Sequence, residues 1–551
     1  MTEWTISAVF DEVAAAVPDR TVTVCGERRR TFGETALRTR KFANFLAERG
    51  FGAHTPRAEL DRWECGQDRI ALVMRNDQYL DVMLAGMKAR VVPVNINHHY
   101  TAHEIRDLLA YIKPRGIVYH RSFGPVVEQA APAGVELLVS VDDGSDVAEL
   151  AGAIGYEDAV ALGADEPVIE TSPDDLVMLC TGGTTGRPKG VLWRQSDMYV
   201  SSMNGADHES GEGLRQLALM TGHVWFAVSP LSHAAGIWTS FSGLLAGQTV
   251  VLYDDQRKFD AHNALRVAAQ ERAALMTIVG DAYAGPLVRA LREGNYDLSA
   301  LMAIGTGGAA TNPVHRRDLL DLLPHAFVVE GYGSSETGGM GFGRSTKGNE
   351  VDSFAPMPGG TAVSDDRTRF LTPGEAEVGW AARSGRVPLG YLDDREATER
   401  TFPIIDDVRM AIPGDRATVD ADGSLRLLGR DALVVNTGGE KVFVEEVEEV
   451  LRSNPLVGDA LVVGRPSAKW GNEVVALVCV DAGDLVDAAD RVGPTALQQL
   501  CRSRLAGFKV PKAVIYVEEI RRLGNGKPDY RWAMRRAVEE AGEAAAEGIG
   551  A

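Results

Sequence analysis

The chain reads as an α/β protein. A large N-terminal domain of mixed α/β layers with a small β-rich subdomain spans residues 1–430, and a smaller α+β C-terminal domain spans 431–551. Three observations predict this. From residue 20 to about 130, short apolar runs alternate with amphipathic stretches, the pattern of βαβ connections. Residues 375–430 are rich in Gly, Pro and Asp between short strand-like runs. Beyond Arg430 a Glu-rich amphipathic run opens a unit of about 120 residues, an ordinary domain size.

Taken in order, Ile70 to Met74, Val91 to Ile96 and Gly116 to Tyr119 predict strands, with helices around Tyr79 to Ala89 and Ala102 to Ile112 between them. Arg28-Arg29-Arg30 reads as a solvated turn, because charge runs usually face water. Residues 52–66, charged and carrying Gly52 and Pro56, read as a surface insertion. Further strands are expected at Leu176 to Leu179, Thr249 to Tyr253, Ala274 to Gly280, Leu301 to Gly305 and Phe327 to Glu330. In the C-terminal unit, Val444, Val447, Val450 and Leu451 recur at helical spacing, Val474 to Val480 and Ala513 to Val517 predict strands, and a helix lies between about 495 and 506.

The stretch hardest to explain as core is Thr181-Gly182-Gly183-Thr184-Thr185-Gly186-Arg187-Pro188-Lys189-Gly190. It follows an apolar run, so it leaves the carboxyl end of a buried strand, where open α/β sheets bind ligands. Its glycines let backbone approach an anion, its threonines offer hydroxyls, and Arg187 and Lys189 supply charge. It is not a Walker A loop. Pro188 stands before the lysine where that motif has glycine, and Gly190 follows with no hydroxyl for a metal. A P-loop kinase or ATPase is therefore disfavoured.

Composition narrows the partners. With 551 residues, 45% hydrophobic, and a formal net charge of −20, the chain suits a globular enzyme and opposes nucleic acid or anionic membrane as the main partner. The five cysteines, Cys25, Cys65, Cys180, Cys479 and Cys501, show no Cys-x-x-Cys spacing, so neither a disulfide framework nor a zinc site is indicated. The N-terminus lacks a signal-peptide pattern and no window reaches membrane-span length. A cytoplasmic enzyme is expected, its membrane contact at most peripheral and a homodimer admissible.

The loop belongs to an ordered set of motifs: Gly331-Tyr-Gly-Ser-Ser-Glu-Thr-Gly338, Gly414-Asp415, Gly429-Arg430, Gly438-Gly-Glu-Lys441 and Asn525-Gly-Lys527. Together they resemble the adenylate-forming superfamily of acyl- and aryl-CoA synthetases, luciferases and peptide-synthetase adenylation domains, over residues 10 to about 535. Residues 186–193 and 436–442 look most like the actinobacterial fatty-acyl-CoA synthetases, some of which act on steroid side-chain carboxylates.

The resemblance implies an ATP-dependent acyl-CoA ligase. ATP and Mg2+ are expected cofactors, coenzyme A the co-substrate, and a small-molecule carboxylate the substrate. It places Thr181, Gly182, Gly183, Thr184, Thr185, Gly186 and Lys189 at the phosphates, and Gly307, Gly308, Ala309, Glu330, Gly331 and Gly333 around the adenine and acyl group. Tyr332 is expected to stack on adenine, Thr337 to offer a hydroxyl to the α-phosphate, Glu336 to ligate magnesium, and Asp415 and Arg430 to hold the ribose. Gly438, Gly439 and Lys441 would face the pantetheine, and Lys527 would enter for adenylation. His233, with Thr181, Glu336 and Lys527, completes the expected catalytic set. The acyl pocket is expected to use Trp238, Ser242, Gly280, Ala282, Tyr283, Gly307, Gly333 and Met340. Trp238 and Ser242 read equally as core of their helix.

One departure stands out. Where many relatives carry an aspartate or lysine as the domain pivot, this chain has Ala432. Two other functions remain open from the sequence: loading of a carrier protein, and a catalytically idle nucleotide- or acyl-CoA-binding protein.

Overall fold

The structure, a computed structural model, describes residues 2–182, 188–254, 259–308, 311, 313–351, 353–430, 434–454, 456–480, 492–521 and 529–547. They form two compact units, one of Met1–His98, Leu108–Thr181 and Lys189–Gly429, the other of His99–Asp107, Gly182–Pro188 and Arg430–Ala551.

In the larger unit the buried apolar runs become two mainly parallel sheets. The first has eight strands in the order Gly390–Tyr391, Pro188–Arg194, Leu176–Gly182, Val92–Asn95, Arg69–Val73, Gly116–His120, Leu137–Val141 and Ile154–Gly155. The strands expected at Ile70 to Met74, Val91 to Ile96 and Gly116 to Tyr119 and the Tyr79–Lys88 helix fall within a residue or two of expectation, while Leu176–Gly182 runs three residues further than expected. Ile70, Leu72, Val92, Val94, Ile117 and Val118 are fully buried, as expected of parallel strands covered by helices. The Phe32–Glu48 helix starts with a capping box, in which Thr31 and Glu34 each accept the other's backbone N–H. Its buried Phe32, Ala36, Thr39, Ala43 and Leu46 recur at helical spacing.

The second sheet has nine strands: Ala355–Pro356, Gly338–Ser345, Phe327–Ser334, Ala303–Gly307, Leu275–Ile278, Val224–Ala227, Thr249–Leu252, Thr21–Cys25 and Arg28–Thr31. The six from Phe327–Ser334 to Thr21–Cys25 are parallel. Arg28-Arg29-Arg30 is thus not a turn but the outermost strand. It is tolerated there because Asp77, Glu271 and Asp81 lie 3.1, 2.6 and 3.9 Å from the three guanidiniums in turn. The expected β-rich segment is an antiparallel sheet of Ile404–Ile405, Val408–Ala411, Gly379–Ser384, Asp415–Val419 and Leu425–Arg430, with Gly360–Val363 on Gly379–Ser384.

In the smaller unit, Gly471–Val480 pairs with Val457–Ser467 and Val434–Thr437 on either side, and Ala513–Tyr516 lies parallel to it. The Val444–Arg452 helix buries Val447, Val450 and Leu451, as its spacing predicts. Its buried Glu448 accepts from the Val462 N–H at 2.8 Å and from the Tyr530 hydroxyl at 3.1 Å, and pairs with Arg452 at 2.7 Å. A closing helix, Tyr530–Glu547, was not expected from the sequence. All five cysteines are free thiols. Among the described residues no helix is long and apolar enough to cross a membrane.

His120 ends its strand almost fully buried, its Nδ1 accepting the Arg75 N–H at 2.9 Å. Burial, aided by nearby Arg75 and Arg28 and opposed by Asp143, pushes its pKa down to about 4. Because the folded state resists protonation, this contribution is complete above the unfolded value near 6.5 and is lost as pH falls toward 4. Urea unfolding should therefore show wild type losing about 3 kcal/mol more stability than His120→Gln across that window.

Candidate active site

Two buried asparagines bring the carboxyl ends of the two large sheets together. Asn95 ends its strand 5% exposed; its Oδ1 accepts the Cys180 N–H at 2.9 Å and its Nδ2 donates to the Ser232 carbonyl at 2.7 Å. Asn76, 2% exposed, accepts from the Leu231 N–H and donates to the Tyr253 carbonyl, both at 2.9 Å. Thr181, one residue past Cys180, is thereby held near the segment that leads to His233. That histidine is half-buried and immediately precedes the Ala234–Leu245 helix.

From the other sheet, parallel pairing sets Thr306 beside Glu330 and Gly307 beside Gly331. A Cβ placed on Gly308 would lie 3.9 Å from Ala235 and 3.8 Å from Val279, so this strand exit faces the Ala234–Leu245 helix. Gly333 sits where its strand folds back on Gly338–Ser345; a Cβ there would come within 2.1 Å of the Gly338 carbonyl, which no side chain can accommodate. The turn between is clamped from two sides. Trp193, fully buried, donates its indole N–H to the Ser335 carbonyl at 2.8 Å. Arg383, also buried, donates to the carbonyls of Ser201, Thr337 and Gly339. Burial without a carboxylate partner pushes the Arg383 pKa down to about 10.

Glu336 projects from this turn. The Tyr391 hydroxyl donates to its Oε1 at 3.0 Å, and Lys189 Nζ lies 4.7 Å from the centre of the Tyr391 ring and 3.4 Å from Asp394. Burial first, and Glu336 second, hold the Tyr391 pKa well above that of a free phenol, so it stays a donor. On the other flank the Tyr332 hydroxyl donates to Asp415 Oδ2 at 2.8 Å, Asp415 being 6% exposed. Pro188–Arg194 is a strand and not a helix, which agrees with the Walker A exclusion.

Thr337 is fully buried, accepting the Ser334 N–H at 2.9 Å and donating to the Gly338 carbonyl at 2.9 Å. Met340, expected at the acyl pocket, packs with Ala362, Leu371, Ala381 and Ala417 in the core of the antiparallel sheet. The Glu330 carboxylate is engaged by the buried Arg316. Trp238 is half-buried with its indole N–H enclosed, Ser242 is 6% exposed, and the Tyr283 ring lies 4.6 Å from Phe259. Gly280 begins the Gly280–Glu293 helix with a φ of +51°.

In the smaller unit, Gly438 and Gly439 form the two-residue turn between Val434–Thr437 and Glu440–Phe443, with φ values of +59° and +86°. Two successive positive φ values suit the twist of such a hairpin and explain the glycine pair. Lys441 pairs across it with Asn436. Gly183, Thr184, Thr185, Gly186, Ala309, Ala432 and Lys527 lie outside the described residues, as do the side chains of Arg430 and Ala282. Sequence reasoning missed Asn76, Asn95, Tyr391 and Arg383, which no motif marks.

Among the described residues no group of three or more His, Cys, Asp or Glu could by itself hold a metal. A single carboxylate at Glu336 fits magnesium only in the form in which that ion usually binds, through one or two carboxylates plus substrate phosphates.

Glycine-rich strand exits and two carboxylates, each held by a tyrosine, thus lie at the sheet ends of an α/β scaffold. The AMP-binding enzyme family matches residues 10–379, and its C-terminal domain matches 446–527. The chain belongs to that family. It is 40% identical over 549 residues to the medium-chain acyl-CoA ligase Mig of Mycobacterium avium, covering 98% of this chain and 99% of the other. It is 35% identical to a 3-oxocholest-4-en-26-oate–CoA ligase of Rhodococcus rhodochrous, covering 96% and 95%. Among solved structures, the amide bond synthetase McbA from Marinactinospora thermotolerans shares the fold with a TM-score of 0.75 and 21% identity, over 96% of this chain and 99% of that one. The expectation of an ATP-dependent, AMP-forming acid–thiol ligase is met at the level of the family and these relatives.

Replacing Asn95 by leucine would strand the Cys180 N–H and the Ser232 carbonyl. Denaturant unfolding should show a loss of about 3 kcal/mol, with adenylate formation falling in parallel.

Proposed function

We propose that this ligase activates a medium- or long-chain fatty acid as its acyl-adenylate, releasing pyrophosphate, and then transfers the acyl group to coenzyme A. A steroid side-chain carboxylate is the second candidate, supported by the Rhodococcus relative. The observation that carries the reading is a pair of carboxylates set about one strand-turn unit: Glu336 on its turn, held by Tyr391, and Asp415 from the antiparallel sheet, held by Tyr332 of its strand.

A carboxylic acid is already ionised at neutral pH and needs no general base. Its difficulty is repulsion from the α-phosphate and placement in line with the leaving pyrophosphate. Asp415 accepts hydrogen bonds from the ribose, which fixes the nucleotide. Gly307 and Gly308 leave room for the flat base, and the Tyr332 ring stacks on it. The Thr337 hydroxyl, on the turn beside Glu336, is offered to the α-phosphate. Magnesium, when bound at Glu336, supplies positive charge to the phosphates. Thr181, Lys189 and the loop between them, together with Lys527, offset the remaining negative charge as the carboxylate oxygen bonds to phosphorus and pyrophosphate departs. The smaller unit then rotates, withdrawing Lys527 and presenting Gly438, Gly439 and Lys441 to the pantetheine. The thiolate attacks the acyl carbonyl with His233 nearby, and AMP leaves with its bonding electron pair. Such a hinge need only absorb a backbone change, so Ala432 does not forbid it.

A pyrophosphate-release assay over a panel of carboxylates tests the first half-reaction; release that does not depend on acid would refute it. Acyl-adenylate formed without any thioester would favour a carrier protein as the acceptor. Lys527→Ala should depress pyrophosphate release at least a hundredfold, about 3 kcal/mol of barrier, and leave thioester formation from supplied acyl-adenylate within a few-fold. Tyr332→Phe should raise the KM for ATP roughly fivefold, about 1 kcal/mol for one lost hydrogen bond, with smaller change in the KM for the acid.

A further inference from the structure

Two charges assigned above to the phosphates, Glu336 through magnesium and Lys189 directly, meet on one side chain. Antiparallel pairing sets Gly390 against Leu192 and Tyr391 against Val191. Lys189 lies two residues before Val191, so it shares a face with Tyr391 as the diagonal neighbour of that pair, a separation that aromatic and long side chains span. The register is fastened beside it. The Leu392 N–H donates to the Gly190 carbonyl at 2.8 Å, and the Tyr111 hydroxyl accepts the Gly190 N–H at 3.2 Å and donates to the Leu392 carbonyl at 2.8 Å.

Tyr391 meets the two charges with different atoms. Lys189 Nζ lies 4.7 Å from the centre of its ring, within the range of a cation–π contact, with Asp394 at 3.4 Å. Asp394 also caps the Arg395–Thr401 helix by accepting the Ala397 N–H at 2.9 Å, and it is 37% exposed, so water competes for its pair with the lysine and the ring is the firmer support. Glu336 meets the hydroxyl, which donates to Oε1 at 3.0 Å and leaves Oε2 for a ligand. Tyr391 itself is 6% exposed and packs against Phe402 with ring centres 5.6 Å apart, so its position is set by the core.

We propose that Tyr391 is a positioning residue for adenylation that sets two opposite charges at once, its hydroxyl aiming Glu336 at the divalent cation and its ring seating Lys189 toward the phosphates. This rests on the reading of Glu336 and Lys189 under the proposed function. Because the two tasks belong to different atoms of one side chain, substitution separates them.

The probe is α,β-methylene-ATP, which cannot release pyrophosphate, titrated calorimetrically into the full chain with excess Mn2+ or with EDTA. The ratio of the two affinities is the contribution of the metal. Tyr391→Phe keeps the ring and should shrink that ratio at least fivefold, with metal-free affinity within twofold of wild type. Tyr391→Leu should also lower the metal-free affinity at least fivefold, and should lower it no further in a Lys189→Met background. Thermal unfolding checks that each variant folds, and Tyr391→Met replaces Tyr391→Leu if the latter does not. A tyrosine that only supports the fold would lower the melting temperature and leave both affinities as they are, which would overturn the proposal. So would Tyr391→Phe with the wild-type metal ratio, or losses that add in the Lys189→Met background. Glu336→Gln tells the failures apart. If it loses the contribution of the metal while Tyr391→Phe keeps it, the proposal alone falls; if Glu336→Gln keeps that contribution, the reading of Glu336 falls and the proposal with it.

Discussion

The larger unit depends on two amide side chains doing backbone work between sheets. Strand ends leave N–H and C=O groups without ladder partners, and orphaning one in a buried place costs about 1–3 kcal/mol. Asn76 and Asn95 leave one sheet and satisfy such groups on the segments 231–232 and 253 that belong to the other, while Asn95 also takes the N–H of Cys180. Asparagine suits this task because its one side chain both donates and accepts. The consequence reaches along the chain: the strand that ends at Gly182 and the helix start behind His233 share a single hydrogen-bonded joint.

Around that joint the polar groups are fixed before any ligand arrives. Trp193 and Arg383 hold the turn that carries Glu336, and Tyr391, kept protonated by its burial, orients the carboxylate itself. Preorganised donors and charges of this kind need little rearrangement when a reaction develops charge beside them. The stacking of Lys189 near the same tyrosine ring adds a cation at the margin of the corner, within reach of Asp394.

Much of this was legible in the sequence because periodicity reports burial. Runs such as Ile70 to Val73 and the Val444, Val447, Leu451 stripe gave strands and helices in their places, and glycine-rich motifs marked the turns. What escaped had no pattern to carry it. Asn76, Asn95, Tyr391 and Arg383 are single polar residues whose importance lies in what they meet more than a hundred residues away, or in a turn far off in the chain. At Thr337 composition shows that a hydroxyl exists but not that the turn itself engages it. Arg28, Arg29 and Arg30 were misread because their acidic partners lie on distant helices and loops.

The same arginines have a wider bearing. A long sheet ends in rows of unpaired backbone groups that invite a second molecule to add a strand, and proteins commonly blunt such edges with charge or proline. Here both are used: one margin of the nine-stranded sheet is the arginine strand, and the other is the two-residue Ala355–Pro356, whose proline has no N–H to give. Templated polymerisation through this sheet is therefore disfavoured at either end. Two copies of the chain that associate would not do so by continuing this sheet's backbone ladder.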